Sequence, residues 1–464
     1  MHLWAKAHDK LDPTEQSAFV DHLFSEGYTV EPLARKYLEE VVMPGFTNAK
    51  LSWQHEYIDG DFSARSDAII YDEASDSYHI FEIKSGTRVK PENLYDATFQ
   101  LLTCIPNIPI KSVNILHLNS KYVRRGDLDI RNLFVVDDVT EKVFALKDEV
   151  DVKRKEAYRV MNLDSSESID PCLMPKYCPC MDLCNPGLPD YSIFELIGVT
   201  AGIKRHLLAE GVWEIASIPD DFVVGTYQYR HIQAVKTSKP VINIDVIKQE
   251  LESLVYPIYF LDYETYNSAL PLYDEYHPQQ QMVFQYSLHK LNEPGGELEH
   301  FEFLCLSQDD PGRKTAESLI NVIGDTGSVM VWNKVFEMGR NNEMAAMYPD
   351  LADRLKSINS RVYDLMEIFK KTHYIHKDFH GSWSIKNVLP ILVPELSYHN
   401  MEINKGDKAM QAWWELVHGE ESNGEYMGKN QSTIATNLLK YCKLDTLAMV
   451  EIWKFLLKCT NSFS

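Results

Sequence analysis

The sequence has no apolar run near the roughly 18 to 20 residues that a membrane-crossing helix needs, and no membrane association is expected. Its first ten residues, MHLWAKAHDK, lack the apolar core of a signal peptide, so a cytoplasmic location is expected. Positive charge is in short supply: 46 Lys and Arg stand against 68 Asp and Glu, a formal net charge of −22. That balance weighs against a nucleic-acid partner at long range, although a binding groove needs only a local basic strip. Two strips qualify, Lys121 to Arg125 and Lys153 to Arg159, and each reads equally well as solvated surface. Cysteine is scarce as well, at 8 residues. Four of them crowd into one segment, CLMPKYCPCMDLC, at Cys172, Cys178, Cys180 and Cys184. In a reducing cytoplasm such a cluster points to a metal site over a disulfide framework, and its thiolates suit zinc or an iron–sulfur cluster alike.

What is present is a globular composition, 45% apolar with 8 Trp, 25 Tyr and 19 Phe. At 464 residues the chain is too long for one ordinary core, and two or three domains are expected. The rest of the sequence is arranged around YPIYFLDYET, Tyr256 to Thr265. A short apolar run suits a buried central strand, and alternate residues of a strand share a face. Asp262 and Glu264 therefore project together at its end. Two like charges side by side call for a cation, and magnesium or manganese is the usual answer for paired oxygens.

Further strands are expected over 278–290, 301–306, 328–333 and 361–365. The third of these, SVMVWN, runs through Asn333 into a helix that carries Glu337. Asp364 reads as the N-cap of the helix after RVYDL. Ser432 to Leu457 has the period of one amphipathic helix, with Tyr441 and Asp445 four apart on one face. An aspartate on a half-buried face needs a partner, and a shared metal would supply it.

Near the N-terminus, Asp12, Pro13 and Glu15 form a helix-start signal, with Gly27 as the expected end and a second helix over Glu31 to Glu40. From Ala64 to Gly86 the pattern becomes strand, polar turn, strand. Glu82 and Lys84 share one face, and antiparallel pairing brings Asp67 beside them. Two carboxylates can hold a divalent ion, and the lysine can position a water or stabilise charge on a phosphate. A cross-strand salt bridge is the structural alternative.

D-x14-E-x-K, followed by a helix with Tyr95, Asp96 and Gln100, resembles the PD-(D/E)xK nucleases of the RecB-like branch. The resemblance implies a restriction-endonuclease-like core over residues 1–185. It makes Asp67, Glu82 and Lys84 catalytic, Glu31 a further metal-site acid, and Gln100 and Tyr95 substrate contacts. It also implies that Cys172, Cys178, Cys180 and Cys184 hold an iron–sulfur cluster. Relatives supply one more cysteine just before a Leu-Trp pair; here Met1-His2 precedes Leu3-Trp4. Either the natural start lies upstream or Cys180 is the fourth ligand, and the first is favoured because relatives carry an aromatic residue at the place of Cys180.

The ordered set D-x-E, N-x3-E and Y-x3-D is similar to the DnaQ-like 3′–5′ exonucleases of the ribonuclease H-like fold. Asp262, Glu264, Glu337 and Asp445 would hold the metal ions, with Tyr441 aligning a water. Glu337 stands where most of those relatives have aspartate. FEMGRNNEMA, HGSWSIKNVLP and FLDYET resemble the hallmarks of a bacterial fusion family of the two domain types, catalogued as a domain of unknown function. That resemblance adds Asn333, His380, Ser384 and Lys386 as substrate contacts. The expectation is thus an α/β multidomain protein: a PD-(D/E)xK domain (1–185), a helical connector of helix-hairpin-helix rhythm or a plain linker (186–250), and a ribonuclease H-like mixed sheet flanked by helices (251–464). Its expected function is metal-dependent hydrolysis of nucleic acid, DNA rather than RNA. The alternatives are one active site beside a binding site, or a non-catalytic nucleic-acid scaffold. Protein partners are not legible.

Overall fold

The computed structural model describes residues 1–11, 18–170, 172–173, 178–399, 401–419 and 427–461. It is a mixed α/β chain in two compact units, one of residues 1–169 and 267–281, the other of 170–266 and 282–464. Among the described residues no helix is long and apolar enough to cross a membrane.

The first unit is built on a sheet of five strands in sequential order: β1 (Ala49–Asp59), β2 (Phe62–Asp72), β3 (Ser77–Lys84), β4 (Ile110–Leu118) and β5 (Phe134–Asp138). Pairing is antiparallel except between β3 and β4, which run parallel and are joined by the Pro91–Cys104 helix. Strand alternation sends successive apolar residues to opposite faces. Ile69, Ile80, Val113 and Ile115 meet Ala97, Leu101 and Cys104 of that helix. Ile70, Phe81, Leu116 and Leu118 meet Val30, Ala34 and Leu38, together with Ala269 from the second stretch of the unit.

The expected break at Gly27 is absent. One helix runs Ala18–Tyr37 through Gly27 and Pro32 into a π-helical turn, Leu38–Val42. Packing of Val30, Ala34 and Leu38 on the sheet outweighs the local helix-breaking signals. Glu31 therefore sits inside a helix, not at its start. The Asp12-Pro13-Glu15 signal lies outside the described residues. Both basic strips are largely met by local acids: Arg125 pairs with Glu275 at 3.2 Å, Arg154 with Asp59 at 3.0 Å, and Arg159 with Glu156 at 2.7 Å.

In the second unit a two-stranded ribbon joins β6 (Val241–Ile242) to β12 (Tyr374–Ile375). The main sheet has the order β11-β10-β7-β8-β9, made by β7 (Ile258–Asn267), β8 (Gln281–Leu291), β9 (Leu298–Leu304), β10 (Val329–Val331) and β11 (Val362–Asp364). β10 runs parallel to both β7 and β11, while β8 and β9 are antiparallel. Tyr259, Leu261, Tyr286 and Val331 pack with Leu319, Met344 and Leu355 from helices Pro311–Val322, Lys334–Met347 and Ala352–Asn359. The Met427–Asn461 helix buries Leu438, Cys442, Ala448, Met449, Ile452 and Leu456. Residues 191–235 form a small core of their own around Ile193, Leu207, Ile215 and Ile232. The GVTAGIKRHLLAEGV stretch contains one helix, Ala201–Ala209, between Gly198 and Gly211 in left-handed turns.

Candidate active site

Asp262 and Glu264 stand two apart on β7, so their carboxyls leave the same face. Tyr263, between them, points the other way and donates to Asn341 at 2.7 Å, which fixes the strand against the Lys334–Met347 helix. β10 lies parallel beside β7 with Met330 opposite Phe260. The helix that follows β10 brings Glu337 to the same place. Asp364 secures that helix, its carboxylate accepting from the Lys334 amide at 3.0 Å, and it also accepts from the Met366 amide at 3.1 Å at the start of the Met366–Lys370 helix. Asn333, at the turn, holds φ at 150°, a backbone state costly for a residue with a side chain.

A cavity of about 210 Å³ results, walled by Asp262, Glu264, Asn333, Glu337, Lys386, Tyr441 and Asp445. Asp445 accepts a 2.6 Å hydrogen bond from Tyr398. The Lys386 ammonium donates to the Tyr441 hydroxyl at 3.1 Å and to the Asn404 carbonyl at 2.8 Å. It also lies over the rings of Tyr441 and Tyr398, at 5.1 and 5.4 Å from their centroids. The Cys442 sulfur is 3.7 Å from Asp262 Oδ2.

Acids crowded together away from water give up their protons reluctantly. Burial, with the charges of Asp445, Glu264 and Glu337, pushes the Asp262 carboxyl well above the usual carboxylate range. Burial and Asp445 do the same to Glu264, against the opposing pull of Lys386. Burial raises Glu337 to about 8 and Asp445 to about 6. Glu337 is 3% exposed, and its Oε2 has no hydrogen-bond partner among the described residues. An orphaned buried carboxylate oxygen beside two further acids is the signature of a place for a cation. The ligand atoms of Asp262, Glu264 and Cys442 all lie within 4.8 Å of one another. A hard divalent ion such as magnesium or manganese would take the carboxylate oxygens in preference to the thiol.

Of the expected substrate contacts in this unit, Asn333 and Lys386 line the cavity. His380 and Ser384 do not. His380 hydrogen bonds to Glu195 at 2.9 Å and stacks on Tyr191. The next residue must be glycine, because a Cβ on Gly381 would sit 2.1 Å from the Glu195 carbonyl oxygen. Ser384 precedes the Ile385–Leu392 helix and gives its carbonyl to the Asn387 and Val388 amides. Tyr398 and Cys442 escaped the sequence reading. Cys442 had a signal, being three residues from Asp445 on one helix; Tyr398, in an irregular segment, had none.

The first unit places Asp67, Glu82 and Lys84 together. The pairing of Ala68 with Phe81 sets Asp67 opposite Glu82, and Asp67 accepts from the Ile83 amide at 2.8 Å. Lys84 pairs with Glu82 and with Asp96, both at 2.7 Å, and Gln100 donates to Glu82 at 2.6 Å. Burial and Asp67 raise the Glu82 carboxyl to about 7, and burial raises Asp67. Burial disfavours the Lys84 ammonium, but Glu82 and Asp96 outweigh it and hold the lysine above its usual range. Glu31, Asp67 and Lys84 line a cavity of about 290 Å³. Glu31 is tied to Arg35 at 2.6 Å. Tyr95 turns elsewhere, to Glu149 at 2.7 Å.

In the cysteine segment Cys172 is exposed, Cys178 and Cys184 are half-buried and Cys180 is buried. Among the described residues no three of these sulfurs come within 4.8 Å of one another.

A model of a domain of unknown function, DUF2779, matches residues 259–384. That stretch holds Asp262, Glu264 and Glu337 and stops short of Lys386, Tyr441 and Asp445. Over 219 residues the chain is 29% identical to the "Uncharacterized protein MG366 homolog" of Mycoplasma pneumoniae, a match covering 43% of this chain and 32% of that protein. This chain thus spans about a third of the length of that relative. No solved structure matches.

Proposed function

We propose that the protein is a metal-dependent nuclease that hydrolyses phosphodiester bonds of DNA, with a 3′–5′ exonuclease-type site in the second unit. The observation that carries this reading is the convergence of Asp262, Glu264, Glu337 and Asp445 on one small cavity, with the Lys386–Tyr441 pair on its wall. The four carboxylates would hold magnesium or manganese, which when bound supplies charge neutralisation and an activated water. Because the Tyr441 oxygen accepts from Lys386, its own proton is left to donate, which suits the alignment of a water or a phosphate oxygen. The fold arrangement, a five-stranded mixed sheet with the acid pair on a central strand, supports a ribonuclease H-like reading of the second unit. Likewise, antiparallel β1–β3 continued by a parallel β4 across one helix support a PD-(D/E)xK reading of the first.

A second reading, in which only one site cuts, draws support from the first unit. There Lys84, Glu82 and Asp96 already satisfy one another as a salt-bridge network. End-labelled single- and double-stranded DNA, digested with magnesium or manganese by wild type, Asp445→Ala, Lys84→Ala and the double variant, tests both. Absent cleavage in the wild type would leave the scaffold reading standing, and metal-independent cleavage would overturn the metal-dependent one. An iron–sulfur cluster or zinc at Cys172, Cys178, Cys180 and Cys184, and a cytoplasmic location, belong to the same proposal.

A further inference from the structure

Asp445 is buried on the Met427–Asn461 helix, and one of its two carboxylate oxygens is already committed. Oδ1 accepts the Tyr398 hydroxyl at 2.6 Å, a charge-assisted length. A carboxylate held at one oxygen can no longer turn freely about its terminal bond, so the direction of Oδ2 is set as well. Tyr398 is itself held: it is 7% exposed, its ring meets that of Tyr441 edge-on at 6.2 Å, and the Lys386 ammonium lies over its face. Lys386 in turn is anchored on the Asn404 carbonyl, just beyond the segment that carries Tyr398. The chain from Asn404 through Lys386 to Tyr398 and Asp445 has a defined partner at each joint.

We propose that Tyr398 is a positioning residue, whose hydroxyl clamps Asp445 so that its second oxygen faces the cavity it shares with Asp262, Glu264 and Glu337. The proposal rests on the metal-site reading above and assigns Tyr398 no contact with substrate. Residues that orient a ligand are worth roughly 10- to 100-fold in metal affinity.

The test is calorimetric titration of the full-length protein with manganese, which reads binding without turnover. Wild type, Asp445→Asn and Tyr398→Phe are compared, with thermal midpoints recorded for each. Phenylalanine keeps the ring, its contact with Tyr441 and the face under Lys386, and removes only the hydroxyl. Manganese affinity is expected to fall roughly 10- to 100-fold in Tyr398→Phe, with a folded chain and a larger loss in Asp445→Asn. Wild-type affinity in Tyr398→Phe, alongside a loss in Asp445→Asn, overturns the clamp and leaves the metal site intact. A Tyr398→Phe chain that does not fold overturns it too, since the tyrosine would then be structural. If no variant, wild type included, binds manganese at this site, the metal-site reading falls and the clamp with it. Binding that follows the expected order in a protein without nuclease activity supports the clamp and removes only the proposed reaction.

Discussion

Lys386 and Tyr441 meet at 3.1 Å, the ammonium on a short helix donating to a hydroxyl on the long C-terminal one. The pair ties a lysine on the cavity wall to a tyrosine hydroxyl beside it, so the two side chains should behave as a unit. Tyr441→Phe and Lys386→Met are each expected to slow release of a 3′ label roughly 10- to 100-fold. The double variant should be no slower than the worse single one, because a shared function can be lost only once. Multiplying losses would show that the two act independently.

Asp262→Ala and Asp445→Ala remove groups that would neutralise developing charge, and a loss of at least about 10²- to 10³-fold is expected. Circular dichroism should show both chains folded, since relieving repulsion among crowded acids does not weaken the core. Wild-type digestion of 3′ ends by Asp445→Ala would defeat the assignment of this cavity.

The same crowding gives the metal-free protein a pH signature. Folded Glu337 titrates near about 8 and Glu82 near about 7, both above the unfolded range of about 4. Between those values the folded chain binds more protons than the unfolded one, so stability is highest at low pH and falls as pH rises through the folded values. Buried His231, held near about 4 by desolvation, acts in the opposite sense but only below the unfolded value of about 6.5. From about pH 6.5 to 8, with chelator present, stability should therefore fall by up to about 1.4 kcal/mol per pH unit for each group below its folded value, and the melting midpoint should fall with it. Glu337→Gln should flatten part of that slope, and manganese should raise the midpoint most at the alkaline end. A flat profile in chelator would contradict the burial argument.

Much of this geometry was legible because strands and helices have fixed periods. An apolar run leading into Asp262 and Glu264 could only place both on one face, and Tyr441 with Asp445 follow the helical repeat. Asp67, Glu82 and Lys84 needed only an antiparallel register, which the polar turn between the strands supplies. What stayed hidden depended on packing. Gly27 read as a helix end and Glu31 as a new start, yet the sheet surface keeps the helix whole. Residues 267–281 fall within the expected 251–464 domain, but Ala269 joins the first unit's core and Arg124 donates to the carbonyls of Pro271 and Leu272. His380 was a substrate contact by resemblance alone; its partner Glu195 lies far away in sequence.

In the first unit, Lys84 is held firmly charged, which suits charge stabilisation better than proton removal. With the second site disabled by Asp445→Ala, Lys84→Ala should abolish residual metal-dependent cleavage while leaving manganese binding. Glu82→Ala should weaken both. Unchanged cleavage in both double variants would mean that the triplet is a salt-bridge network alone.

The cysteine segment yields the last prediction. Each buried thiol raises its neighbour's reluctance to ionise: Cys180 is pushed up by burial and by Cys178 and Cys184. Such thiols become thiolates when a metal replaces their protons, so metal uptake and local folding are one event. By the resemblance to the RecB-like branch, anaerobically purified protein is expected to be brown, with iron and sulfide in similar amounts. Cys172→Ser, Cys178→Ser and Cys184→Ser should each lose the iron. Cys180→Ala should keep most of it, because a fully buried thiol serves as well as a small apolar side chain. About one zinc without iron would replace the cluster with a zinc clamp, and neither metal in an anaerobic preparation would defeat the metal reading of these four residues.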